Sequence, residues 1–76
     1  MNMATYKDIR EKLKDQIVYL ENKSESAVVK LLPGKNAKTF IKFKGEDEYE
    51  IDSNAVIIYE TCLEAEEITE DQYNKY

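Results

Sequence analysis

Histidine and tryptophan are absent from this 76-residue chain, and cysteine occurs once, as Cys62. The missing imidazole removes the commonest general base near neutral pH and the commonest metal ligand, and one thiol forms no disulfide within the chain. Cys62 has no histidine to activate it, and the acids Glu60 and Glu64 beside it hold a thiol pKa up, so it reads as a small hydrophobe. One proline and two glycines leave few backbone breakers, and no wholly apolar run exceeds the five residues from Ala55 to Tyr59. Such a run is too short to span a membrane or to form the apolar region of a signal peptide. The expectation from these absences is a non-catalytic, cytoplasmic protein with no metal and no cofactor.

What is present suits a folded module. Apolar residues make up 42% and charged residues 36%, a balance within the globular range. The length predicts a single domain, residues 1–76, that buries only about 60% of the surface of its unfolded chain. A core of that size makes further cover by a partner or a second protomer useful.

Thr5 and Asp8 form a capping-box variant, and Tyr6, Ile9, Leu13 and Ile17 then recur at spacings of three and four. Together they predict an amphipathic helix with one narrow apolar stripe. From Gln16 onward, β-branched and aromatic runs predict five strands: 17–20, 27–32, 39–43, 49–51 and 56–59. The connections are short and rich in turn-forming residues, as an antiparallel meander requires. A loop at Gly45-Glu46-Asp47 would set Lys44 opposite Glu48, Lys42 opposite Glu50, Phe43 opposite Tyr49 and Ile41 opposite Ile51. The run at 56–59 is apolar on both faces, which predicts a central strand. Thr69 and Gln72 form a second capping box, and with Ile68 and Tyr73 they predict a short terminal helix. The fold class is therefore α+β, with the sheet either closing into a small SH3-like or Sm-like barrel or staying open and curved.

Net charge conceals the main feature. Residues 1–44 carry +5 and residues 45–76 carry −10. One reading pairs these charges within the fold, acidic strand against basic strand and C-terminal acids against the lysines of the first helix. The other leaves an anionic surface that docks on a basic protein, with Glu64, Glu66, Glu67, Glu70 and Asp71 as binding acids and Tyr73 and Tyr76 as aromatic anchors. Its sharpest form is a phage-type inhibitor whose carboxylates mimic the phosphates of nucleic acid.

A competing site is the basic, aromatic-interleaved segment Lys35, Lys38, Phe40, Lys42 and Lys44, suited to stacking a base and neutralising phosphates. Pro33-Gly34-Lys35-Asn36 lacks the earlier glycine and the following hydroxyl of a phosphate-binding loop and reads as a hairpin turn. No acid and glycine spacing of a calcium loop occurs. The order of a helix, then five strands, with a brief turn at Asp52-Ser53-Asn54 before the last, resembles the Sm-type RNA-binding proteins over residues 5–60. That resemblance implies a barrel that binds RNA. The family's glycine after the first strand, here following Tyr19-Leu20-Glu21-Asn22, and its Lys-His motif are absent. A third possibility is a structural subunit that self-associates through an unpaired edge strand.

Overall fold

Alternation of buried and half-buried residues along Val18–Asn22 and Thr39–Phe43 lays these segments down as strands with one apolar face. The computed structural model describes residues 6–34, 37–64 and 66–76. Its elements are α1 (Tyr6–Lys12), β1 (Val18–Asn22), β2 (Ala27–Leu31), β3 (Thr39–Phe43), β4 (Tyr49–Ile51), α2 (Val56–Glu64), β5 (Glu66–Ile68) and α3 (Glu70–Asn74). The strands form one antiparallel sheet in the order β4-β3-β2-β1-β5. The fold is α+β, as the sequence predicts, and the sheet is open: among the described residues no pairing joins β4 to β5, so the barrel alternatives are overturned. Both edges are three-residue strands, and short edges resist pairing with other chains.

One sheet face carries the main core. Val18, Leu20, Ala27, Val29, Leu31 and Ile41 are buried there with Ile9 of α1 and Ile58 of α2, while Leu13, Ile57 and Cys62 pack at the margin. Of the predicted helical stripe, Ile9 and Leu13 join this core. Ile17 instead precedes β1 and is 45% exposed. The proposed cap at Thr5, the side chain of Tyr6 and the turn residues Lys35 and Asn36 lie outside the described residues. The opposite sheet face is covered by α3, whose Tyr73 is buried against Tyr19 of β1 with ring centroids 5.2 Å apart.

Three expectations need correction. Residues 56–59 are not a strand but the first turn of α2, which begins after an Asx turn in which Asp52 Oδ1 accepts the Asn54 amide at 2.8 Å. The run continues to Glu64 with no breaker, and helical spacing turns Ile58 and Thr61 inward together. The β-branched identity of Val56, Ile57 and Ile58 is overridden by that packing. The fifth strand is Glu66–Ile68 and lies at an edge, not at the centre, pairing Tyr19 with Ile68 and Glu21 with Glu66.

The third correction is the register of β3 with β4, which is shifted by two residues. Ile41 faces Tyr49, Phe40 faces Glu50 and Thr39 faces Ile51. A shift of two keeps every side chain on its predicted face but removes the Lys42–Glu50 and Lys44–Glu48 pairings. The longer connection frees Glu48 to reach Lys30 on β2, at 3.1 Å.

The β1–β2 hairpin closes through Lys23–Ser26, with the Ser26 amide bonding the Lys23 carbonyl at 3.2 Å and Ser26 held at φ 50°. That left-handed conformation costs a residue with a Cβ more than it costs glycine. Ser26→Gly is expected to raise stability by about 0.5–1 kcal/mol, read as a higher urea midpoint with an unchanged slope.

Candidate functional site

Strand alternation brings Lys30, Phe40 and Lys42 onto the face that receives α3, where they surround Tyr73. The Lys30 ammonium lies 4.9 Å from the Phe40 ring centre and 5.7 Å from that of Tyr73, and Lys42 lies 5.9 Å from the Tyr73 ring. Lys42 also donates to the carbonyls of Asn74 at 2.9 Å and Tyr73 at 3.4 Å. A cation so placed bonds carbonyls at the C-terminal end of α3 and suits its dipole. The Tyr73 hydroxyl donates to Glu48 at 2.7 Å. This hydrogen bond, followed by the Lys30 contacts, holds the Glu48 carboxyl below its ordinary range despite the opposing effect of burial.

Of the basic segment predicted to bind nucleic acid, the structure therefore engages Phe40 and Lys42 within the fold. Lys38 and Lys44 are exposed, and Lys35 is among the residues not described.

Burial raises the pKa of Tyr73, Tyr19 and Tyr76, with the Glu48, Glu70 and Glu21 carboxylates respectively adding to it. Because folding raises these values, their contribution to stability is whole below the unfolded tyrosine value of about 10 and is lost as pH climbs through the folded values. Urea unfolding is expected to show a falling midpoint from pH 9 to pH 11, and Tyr73→Phe is expected to flatten that fall.

The five predicted acids divide into two groups. Glu66 and Glu67 sit on β5 and pair with Lys23 at 3.0 Å and with Lys12 at 2.7 Å. Glu70 and Asp71 are exposed in the first turn of α3, the end its dipole favours for acids, and Glu64 is half-buried. The predicted capping box is present: Gln72 N donates to Thr69 Oγ1 at 3.1 Å and Thr69 N donates to Gln72 Oε1 at 2.8 Å. Tyr73 is 3% exposed and faces the sheet instead of solvent. Tyr76 is half-buried, and its carbonyl accepts the Gly45 amide at 3.1 Å.

A surface not singled out from the sequence lies on the outer side of α2. Val56, Tyr59 and Leu63 are 72%, 62% and 59% exposed, and their spacing places them along one helix face. Glu60 is exposed on the same helix and Glu64 follows Leu63. A shallow cavity of about 360 Å³ opens beside the N-terminal half of this stripe, lined by Ser53, Asn54, Val56, Ile58, Tyr59 and Cys62. Burial pushes the Cys62 thiol up, away from the thiolate form. The signal for this surface was the run that is apolar on both faces, which implied cover on two sides.

Among the described residues, no group of three or more Cys, Asp or Glu residues is arranged to hold a metal ion, and no helix is long and apolar enough to cross a membrane. No protein family, no curated protein and no solved structure matches this chain.

Proposed function

We propose that this chain is a non-catalytic binding protein that docks the acidic surface of its C-terminal half on a basic protein. The supporting observation is the acid surplus that survives internal pairing. Lys12, Lys23 and Lys30 engage Glu67, Glu66 and Glu48, yet Glu46, Asp47, Glu50, Asp52, Glu60, Glu70 and Asp71 are all exposed. A surface of this kind attracts a cationic partner, speeds encounter and weakens as salt screens it. The finer form of the reading is a phage-type inhibitor whose carboxylates stand in for phosphates in the groove of a nucleic-acid-binding protein.

The test is affinity capture from host lysate, with and without nuclease, comparing the native chain with the triple variant Glu60→Lys, Glu70→Lys, Asp71→Lys. Glu66 and Glu67 stay in place because reversing them would break the ion pairs with Lys23 and Lys12. The expected result is one basic protein that survives nuclease, elutes with salt and is lost with the variant. Recovery of nucleic acid that nuclease removes would overturn the reading in favour of the Lys38 to Lys44 segment, and retention indifferent to charge reversal would end it.

A further inference from the structure

We propose that the outer face of α2 is the seat for a cationic amphipathic helix of that partner, an inference that rests on the acidic-docking reading and names where the contact centres. A helix that carries apolar side chains on two opposite sides calls for cover on both. Yet α2 has Ile58 and Thr61 buried on one side and Val56, Tyr59 and Leu63 at 72%, 62% and 59% exposure on the other. Residues at these intervals form a ridge that packs into the groove of a second helix, the mode in which amphipathic helices are bound. The cavity beside Val56 and Tyr59 offers room for an aliphatic side chain.

Charge selects the occupant. Residues 56–64 contain Glu60 and Glu64 and no lysine or arginine, and helical spacing sets both carboxylates along one side of the apolar ridge. A second copy of this chain fits poorly: antiparallel pairing of α2 about a two-fold axis would set Glu60, the middle residue of Val56–Glu64, against its own copy. An anionic lipid surface is repelled by the same acids. A helix with aliphatic anchors and lysines or arginines along one border satisfies both the ridge and its acidic flank, with Tyr59 in the central position where binding energy concentrates.

Two synthetic probes of equal charge separate apolar docking from attraction alone: an amphipathic leucine-lysine helix and a counterpart with serine in place of every leucine. Each is titrated into the full isotope-labelled chain at low salt while the backbone amides are followed by NMR. The expected result is that the leucine-lysine peptide shifts the α2 amides and binds about tenfold tighter than the serine-lysine peptide. Val56→Ser with Leu63→Ser, at exposed positions that leave the fold intact, should remove most of that advantage, and an unchanged dispersed spectrum of the variant verifies folding.

Equal binding of both peptides would overturn the α2 seat and leave the acidic-docking reading standing. Shifts confined to sites away from α2 would have the same meaning. Binding of neither peptide would count against both readings. Concentration-dependent shifts of α2 in the peptide-free chain, or α2 shifts on adding phosphatidylcholine vesicles, would overturn the proposal in favour of a second copy or a lipid surface.

Discussion

Tyr73→Ala is expected to lower global stability by about 3 kcal/mol, in the range of large aromatic deletions from well-packed sites. Four contacts that hold α3 in place meet at the ring: Tyr19 on one side, the ammonium groups of Lys30 and Lys42 over it, and Glu48 at its hydroxyl. Alanine removes all four contacts at once from a ring that is 3% exposed in the native fold. Urea unfolding reads the loss, and hydrogen exchange should show the amides of α3 exchanging before those of β1–β3. Tyr73→Phe provides the comparison. It keeps the ring and loses only the hydroxyl, so a cost of about 1 kcal/mol is expected.

The phenylalanine variant also tests the acid limb. Folding lowers the Glu48 pKa, so its contribution is present above the unfolded carboxylate value and lost as pH falls through the folded one. Without the tyrosine hydroxyl, Glu48 is expected to titrate at higher pH, visible in its side-chain carboxyl resonance.

Thr61→Val is expected to cost about 1–3 kcal/mol although it changes the side chain's volume little, because it strands a buried donor. Asn22 is 1% exposed at the end of β1, and its amide donates to Thr61 Oγ1 of α2 at 3.1 Å while its carbonyl accepts the Glu25 amide at 3.2 Å. Thr61 donates in turn to the Ile57 carbonyl at 2.6 Å. Valine leaves the Asn22 amide without a partner in the core. The double variant Asn22→Leu, Thr61→Val removes both polar groups, but it also loses the Asn22 bond that shapes the hairpin. It should therefore recover part of the cost and not the whole. Chemical denaturation of these two variants and of Asn22→Leu alone gives the coupling between the two residues.

The parts of the fold that could be read in the sequence are the parts settled by neighbours along the chain. Strands β1 to β3 follow from short β-branched and aromatic runs, and the Thr69–Gln72 box that opens α3 is a local pattern that the structure reproduces. Two of the failures are non-local. The β3–β4 register assumed that Glu48 answers the adjacent Lys44, whereas its cation is Lys30, one strand further in. Nothing in Glu66-Glu67-Ile68 favours a strand. It becomes one because β1 has an open edge and because Lys12 and Lys23 supply counter-charges, Lys12 from 55 residues away. The same contacts withdraw Glu66 and Glu67 from the predicted acidic surface. Residues 56–59 were legible as a segment needing two-sided cover, but not as a helix, because four apolar residues carry no period that separates the two forms.

The placement of β5 and α3 has a consequence for the order of events during synthesis. Strands β1 to β4 complete their meander once residue 51 has emerged, since each pairs with its neighbour in sequence. Until residues 66–76 follow, β1 keeps an open edge and the Tyr19 and Val28 side of the sheet lies bare. A nascent chain halted between those points presents a template for strand addition beside an uncovered apolar face, the combination most prone to misassociate. The β5–α3 segment is thus also the sheet's protection against its own intermediates.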